Sequence, residues 1–290
     1  MVDFVKVIVK KIVSTIFRLT CKLGIIKPSK VVLIDGGICS QILQYYQGTV
    51  LSPNVQAEFD MSFWDSGGKD VFGNLNRPFE MLQIFPSLSF LEADRRKVNF
   101  YKRFLSASTE FDQPPIYVNN YRFGCSLNGL HDVFNLDVAV VPTRIEKLMN
   151  NIREEHSCGI HIRRGDLSNN DNPYYGVFSE EFLLKAIDFV KTKDENGKFY
   201  VFSDDVGWVK TCFESKCSVP LCIVEGNTGS EDLILLANCR YIVASQGTAG
   251  RLAALINGES LLLMNDGDPH NKRYLEAHKN CLVFSNGSWS

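Results

Sequence analysis

Apolar residues change their spacing along the chain, and each change marks a different kind of element. Between residues 1 and 30, Val5, Ile8, Val9, Ile12, Val13, Ile16, Leu19 and Leu23 recur at the spacing of one helix face. After Pro28 the spacing tightens. Val31-Val32-Leu33-Ile34 is a continuous apolar run that ends in Asp35-Gly36-Gly37, which predicts a buried strand and a tight turn. Ser40 to Gln47 predicts a helix. From about residue 60 to 120 the chain is rich in aromatics and loses its period, so it reads as helices and loops inserted in the first half, with Pro114-Pro115 and Pro142 as punctuation.

The second half alternates. Strands are predicted at 158–162, 198–203, 219–224, 241–245 and 261–264, and helices at 180–191, 206–214, 230–238 and 249–257. Ser230 is the expected cap of the helix at 230–238, with Glu231 and Asp232 in its first turn. Strands separated by helices predict an α/β class with parallel sheets covered on both faces. A charged helical stretch at 145–155 precedes the alternation. The expected division is a basic helix at 1–30, a Rossmann-like domain at 31–150 and a second one at 151–290.

Composition changes this picture little, since 45% hydrophobic and 22% charged residues are ordinary for a folded domain. Charge changes it more. Seven Lys/Arg against Asp3 give residues 1–30 a charge of +6, which leaves −8 on the rest of a chain whose net is −2. A nucleic-acid binder would carry positive charge over its folded body, so that class is set aside. Lys6, Lys10, Lys11, Arg18 and Lys22 interrupt the N-terminal helix. It therefore lacks a signal peptide's apolar region and the ~20 apolar residues of a membrane span. A basic amphipathic helix suits the surface of an anionic membrane, whereas the competing reading packs it on the protein's own core. The nine cysteines are odd in number and none forms a C-x-x-C pair, so they read as buried, reduced thiols. Cys158 and His161 fall on opposite sides of a strand, which argues against zinc.

Three polar clusters follow predicted strands: Arg163-Arg164-Gly165-Asp166, Ser203-Asp204-Asp205, and Ser245-Gln246-Gly247-Thr248. In a parallel sheet the strand C-termini share one edge, where ligands bind. A nucleotide diphosphate leaving group gains negative charge as its bond breaks, and guanidinium groups suit it because they stay charged and fork onto phosphate oxygens. Alternation puts His161 and Arg163 on one side and Arg164 on the other, which favours Arg163 for the ligand and Arg164 as a brace. Ser245, Gln246, Thr248 and the following helix start offer a phosphate cradle. Asp204-Asp205 offers carboxylates to a metal or to a base edge, whereas the competing reading has Asp204 cap the next helix. Asp266-Gly267-Asp268 has the D-x-D spacing of metal-dependent transferases, though a plain turn is favoured there.

At these residues the chain resembles the bacterial α-1,2-fucosyltransferase family and, more distantly, α-1,6-fucosyltransferases, over roughly residues 31–265. The family's Gly-Gly-Leu-Gly-Asn-Gln-Met-Phe-Gln-Tyr appears as Gly36-Gly-Ile-Cys-Ser-Gln-Ile-Leu-Gln-Tyr45. His-x-Arg-Arg-Gly-Asp stands intact at 161–166, and Phe-Ser-Asp-Asp-x-x-Trp at 202–208. Asp-Leu-x-Leu-Met-x-x-Cys appears as Asp232-Leu-Ile-Leu-Leu-Ala-Asn-Cys239. The family's Ala-Asn-Ser-Ser-Phe-Ser-Trp-Trp is replaced by Ala244-Ser-Gln-Gly-Thr-Ala-Gly-Arg251. The departure leaves the donor sugar open between L-fucose and a related GDP-sugar such as colitose.

The resemblance implies a GT-B-like fold with two Rossmann-like domains facing a cleft, a GDP-linked 6-deoxyhexose donor, inversion at the anomeric carbon and no required metal or cofactor. It implies nucleotide and diphosphate contacts from His161 and Arg163, and a guanine contact from Asp204. Arg164, Ser245, Gln246, Thr248, Gly36 and Gly37 complete the expected donor site, with Arg163 and Asp166 as the catalytic pair. The general base is expected among Asp166, Asp171 and Asp35. The first domain is expected to bind an oligosaccharide acceptor, including a lipid-linked one, on the cytoplasmic face of the inner membrane. Two rivals are a non-catalytic GDP-sugar-binding scaffold and a metal-dependent transferase using Asp266 and Asp268.

Overall fold

The computed structural model describes residues 2–69, 76–107, 113–119, 126–165, 179–268 and 271–290. The chain forms two compact units, Met1–Leu82 with Ser87–Cys125 and Gln83–Pro86 with Ser126–Ser290. In chain order, the elements up to residue 118 are α1 (Val2–Lys22), β1 (Lys30–Leu33), α2 (Ile38–Val50), β2 (Ala57–Asp60), α3 (Ser62–Asp65), α4 (Met81–Ile84), α5 (Arg95–Phe104) and β3 (Ile116–Val118). β1 lies between β2 and β3 and runs parallel to both. Val31 and Val32 are buried at its centre, as the apolar run predicts.

β2 and β3 escape the hydrophobic pattern. Part of the reason is a polar pair inside the core: Asp60 is buried and its carboxylate accepts from the Tyr117 hydroxyl at 2.7 Å. Satisfied in this way, an acid tolerates burial that its residue type would not predict.

The expected apolar stripe of α1 is not covered. Val5, Ile12, Ile16, Leu19 and Leu23 are 53–65% exposed. The helix is held instead through Phe17, off that stripe, whose ring packs on Phe100 at 5.0 Å and on Tyr101 at 5.9 Å. Arg18 adds a hydrogen bond to the Gln113 carbonyl at 3.0 Å.

The remaining elements are α6 (Leu130–Val133), α7 (Thr143–Glu154), β4 (Cys158–Ile162), α8 (Glu180–Lys193), β5 (Phe199–Ser203), α9 (Val206–Trp208), β6 (Leu221–Val224), α10 (Gly229–Ala237), β7 (Tyr241–Ala244), α11 (Ala249–Asn257), β8 (Leu261–Asn265), α12 (Asn271–Ala277), β9 (Cys281–Ser285) and β10 (Ser288–Trp289). The helix expected at 206–214 is one α turn followed by a π turn at Val209–Phe213 and a 3-10 turn at Glu214–Lys216. The sheet has the order β10-β9-β8-β7-β4-β5-β6, and all of its pairings are parallel except β9 with the closing β10. This is the α/β, Rossmann-like pattern that the alternation predicts, extended by β9 and β10.

Both faces of the sheet are covered. Phe182, Leu183, Ala186, Ile187 and Val190 of α8 pack into one core with Ile160, Ile162, Val201 and Val243. On α11, residues 250–256 are all buried. α7 is tied to α10 by Arg144, whose guanidinium grips Glu231 with two nitrogens. The cap of α10 is Thr228, not Ser230. Its hydroxyl accepts from the Glu231 N–H at 3.3 Å, and Glu231 reaches back to the Thr228 N–H at 2.7 Å, a complete capping box. Free thiols occupy the described cysteine positions, but only Cys158 and Cys239 are buried, while Cys212 and Cys222 are exposed. The expectation of uniform thiol burial fails because β6 turns Cys222 outward and Cys212 lies on the outer side of the π turn.

Thr228→Ala removes the hydroxyl half of the capping box. It is expected to lower the stability of the second unit by about 1 kcal/mol, read as a shift of the urea midpoint without a change of slope.

Candidate functional site

Strand order creates the site. From β4 the chain lays β5 and then β6 outward on one side, then returns to the other side of β4 to lay β7, β8 and β9. The reversal falls between β4 and β7, and at such a switch point the loops diverge and leave a crevice at the carboxyl ends of the strands. Arg163, Arg164 and Gly165 leave β4 there, Ser245 to Thr248 leave β7, and Asp204-Asp205 leave β5 on the other flank. The three clusters predicted to converge are therefore on adjacent strands.

Hydrogen bonds lock them together. Ser245 Oγ accepts from the Arg163 N–H at 2.9 Å, and Gln246 Nε2 donates to the Arg163 carbonyl at 2.9 Å. Asp204 Oδ1 accepts from the N–H groups of Arg164 at 2.8 Å and Gly165 at 3.1 Å. Every backbone polar group named here has a partner, so the loop carrying the arginines is fixed although it lies outside the sheet. Ser245 and Gln246 are buried and committed to Arg163, whereas Asp204 is exposed and keeps a second carboxylate oxygen beyond these bonds. The helix-capping role considered for Asp204 belongs to Asp205, which accepts from the Trp208 N–H at 3.0 Å.

The arginines separate by environment. Arg164 lies over the Trp208 ring, 4.3 Å from its centroid, and its Nε donates to Asp205 Oδ2 at 3.3 Å. Arg163 runs past Gly247, which has φ +94° and whose added Cβ would stand 3.1 Å from Arg163 Cδ. An L side chain at 247 is therefore opposed both by backbone strain and by the arginine stem. Thr248 occupies the N-cap position of α11 without a capping hydrogen bond from its side chain.

His161 points away from the α8 core and toward α11. A Cβ on Gly250 would stand 3.3 Å from His161 Cβ and 2.7 Å from Ala244 Cβ, so only glycine lets α11 approach this closely. Burial pushes the imidazole down to about 4, Asp204 opposes that shift, and Arg163 and Arg251 reinforce it. The ring is neutral near pH 7. Its Nδ1 is shielded and has no partner among the described residues.

Arg251 is the site residue that sequence reasoning missed. It is 1% exposed and pairs with Asp268 at 3.0 Å. Its Nη1 donates to the Ser245 carbonyl at 3.0 Å and to the Gly247 carbonyl, and its Nε donates to Asn271 Oδ1 at 2.9 Å. The available signal was a lone arginine in the otherwise apolar Ala249-Gly-Arg-Leu-Ala-Ala-Leu-Ile256. A charge in such a segment needs a buried partner. The same pairing gives Asp268 a structural role, and Asp266 accepts a hydrogen bond from the Ser285 hydroxyl.

Gly36 and Gly37 lie in the first unit, Gly36 in the turn after β1 with φ +70° and Gly37 at the N-cap of α2. Asp35 is tied to Gln44, whose Oε1 accepts the Asp35 N–H at 2.8 Å and whose Nε2 donates to Asp35 Oδ1 at 2.5 Å. The buried Gln41 amide bridges the Gly36 and Pro78 carbonyls at 3.0 and 2.8 Å. The glutamines of this motif thus hold the Gly-Gly turn. Asp166 and Asp171 lie outside the described residues.

Comparison with known proteins gives a consistent family. The model of Glycosyl transferase family 11 matches residues 100–281. An α-1,2-colitosyltransferase of Escherichia coli is 31% identical over 109 residues, 36% of this chain and 37% of that protein. A galactoside 2-α-L-fucosyltransferase, SEC1, of Bos taurus is 28% identical over 120 residues, 40% of this chain and 33% of that protein. The chain thus spans about a third of the length of these relatives. Among solved structures, a NodZ α-1,6-fucosyltransferase soaked with GDP-fucose aligns with 84% of this chain and 98% of its own at 12% identity, with a TM-score of 0.49.

Arg251→Met leaves Asp268 buried without its cation and is expected to cost about 3–5 kcal/mol, measured by equilibrium denaturation. Adding Asp268→Leu is expected to restore much of that loss, because removing both charges is far cheaper than removing one. The His161 shift sets a pH dependence. Its folded value of about 4 lies below the ordinary 6.5. Above pH 6.5 the group costs nothing, and as pH falls toward 4 the unfolded chain binds the proton first and stability drops. The expected loss is up to ~3 kcal/mol across that window, and it disappears in His161→Gln.

Proposed function

Because the chain belongs to Glycosyl transferase family 11, we propose that it is an inverting glycosyltransferase moving a 6-deoxyhexose from a GDP-sugar to a hydroxyl of an oligosaccharide. L-fucose in α-1,2 linkage is the first choice, and colitose is the alternative. Both are in keeping with the names of the relatives.

One observation carries the reading: Arg163 and Arg164 stand at the switch point of a parallel sheet, with their backbone clamped from both sides by Asp204, Ser245 and Gln246. Such an edge with fixed cations suits a diphosphate whose charge grows as the donor bond breaks. In the proposed reaction the acceptor oxygen attacks the anomeric carbon from the face opposite the nucleotide. The bond between that carbon and the diphosphate oxygen breaks, and its electron pair leaves with GDP toward Arg163. The hydroxyl proton passes to a carboxylate, for which Asp166, Asp171 and Asp35 are the candidates. Attack from the opposite face inverts the anomeric centre. Neutral His161, Thr248 and the start of α11 complete the phosphate side, and the outer oxygen of Asp204 faces the N–H edge of guanine. Arginine supplies the positive charge in this reading, so no metal is needed. The proposed workplace is the cytoplasmic face of a membrane, with a lipid-linked acceptor in surface-polysaccharide synthesis such as that of O-antigen. The exposed stripe of α1 supports the membrane part.

The test is a donor screen over GDP-fucose, GDP-colitose and GDP-mannose with oligosaccharide acceptors, read by mass spectrometry, with and without EDTA. Transfer from a GDP-6-deoxyhexose that persists in EDTA is expected, and Arg163→Ala should lower kcat/KM by roughly 100- to 1,000-fold. Wild-type kinetics in that variant would refute the assignment of Arg163. Absence of GDP release with every acceptor would favour the scaffold role.

A further inference from the structure

The outer face of α1 is an exposed apolar surface that the site does not explain. At 100° per residue, Val5, Ile8, Val9, Ile12, Ile16, Leu19 and Leu23 fall within an arc of about 100°, and all are at least 41% exposed. Ile25 and Ile26, just beyond the helix, extend the patch at 69% and 38% exposure. Folded chains seldom leave so continuous an apolar surface in water unless something covers it.

Charge identifies the cover. Lys11 and Lys22 lie nearest one edge of the arc and Lys6 nearest the other, Lys10 falls beside Phe17, Arg18 is bonded to the Gln113 carbonyl, and Asp3 is the only acid in the helix. Phe17 lies on the far side of the helix from the arc and is packed on Phe100 and Tyr101. The face that anchors the helix and the face left bare therefore point in different directions. A second copy pairing through the same stripe would bring the flanking lysines together without acids to answer them. An anionic bilayer supplies both an apolar layer for the arc and negative headgroups for those lysines. No helix among the described residues is long and apolar enough to cross a membrane.

We propose that α1 lies flat in the interface of an anionic bilayer, its isoleucine–leucine–valine arc among the acyl chains, the flanking Lys11 and Lys22 at the headgroups and Phe17 directed back to the first unit. This deepens the membrane-face part of the functional reading and rests on it, but not on the donor chemistry. The helix is about 30 Å long at 1.5 Å per residue, so it holds the attached unit by a line of contacts rather than a single point.

The experiment is co-sedimentation of the full chain with vesicles of phosphatidylcholine alone and of an equimolar mixture with phosphatidylglycerol. Binding to the mixed vesicles, weakened by salt, is expected. Ile12→Asp with Ile16→Asp should reduce it on the order of 100-fold, since both positions lose their apolar burial. Lys11→Glu with Lys22→Glu should reduce it at least ~10-fold. These sites are exposed, and an unchanged melting temperature shows that the variants fold. Equal binding by wild type and the Ile12→Asp/Ile16→Asp chain overturns the proposal, as does equal binding to both vesicle types. Light scattering that shows a wild-type dimer, a monomeric variant and no vesicle binding by either assigns the stripe to a second copy. GDP binding is measured separately in solution. Its absence in wild type would sink the donor assignment, whereas loss of vesicle binding with GDP binding intact sinks only the inference drawn here.

Discussion

Arg251 is buried to 1% exposure in an apolar helix, and the geometry of the site follows from how that charge is satisfied. Its guanidinium pairs with Asp268 and donates to the carbonyls of Ser245 and Gly247, which fixes the loop after β7. That loop then offers the Ser245 hydroxyl and the Gln246 amide to the backbone of Arg163. A buried ion pair adds little net stability, because desolvation offsets most of the attraction. We read its value as positional: the loop cannot shift without stranding a charge in the core. On the opposite flank Asp204 holds the next two N–H groups. The segment that carries the cations is thus clamped on both sides by the protein's own groups, the preorganisation that electrostatic stabilisation requires.

The second unit was largely legible because parallel strands buried on both faces leave continuous apolar runs, and the helices between them leave amphipathic ones. β5, β7 and β8 stand within a residue or so of their expected places. The convergence of Arg163, Asp204 and Ser245 followed from topology alone, since parallel strands end on one edge. What stayed hidden depended on pairings between distant residues. β2 and β3 share the buried Asp60–Tyr117 contact, which looks polar in sequence. The arginine at 251 appeared only as a departure from a family motif, because its partner at 268 lies beyond the next strand. Ser230 outcompeted Thr228 as the expected cap because it stands directly before two acids, although the Thr228-Gly-Ser-Glu231 spacing of a capping box was present. β9 and β10 were passed over because β9 is followed at once by Asn286 and Gly287 and closes on a strand of only two residues.

Three arginines within one short region show how environment assigns roles that residue type leaves undecided. The guanidinium is always charged, so what differs is how fully the protein answers it. At 251 an acid, an amide and two carbonyls surround it in a dry setting, and the side chain becomes part of the frame. At 164 an indole face and one carboxylate oxygen hold it against α9, leaving it partly in water. At 163 the clamp is on the backbone, and the side chain passes over a glycine that could not be any other residue without moving it. His161 completes the gradient. Placed near these cations and desolvated, it stays neutral at pH 7 and adds no further repulsion. In the proposed reading the clamp sets Arg163 for a ligand through its main chain, whereas Arg164 and Arg251 are held through their side chains.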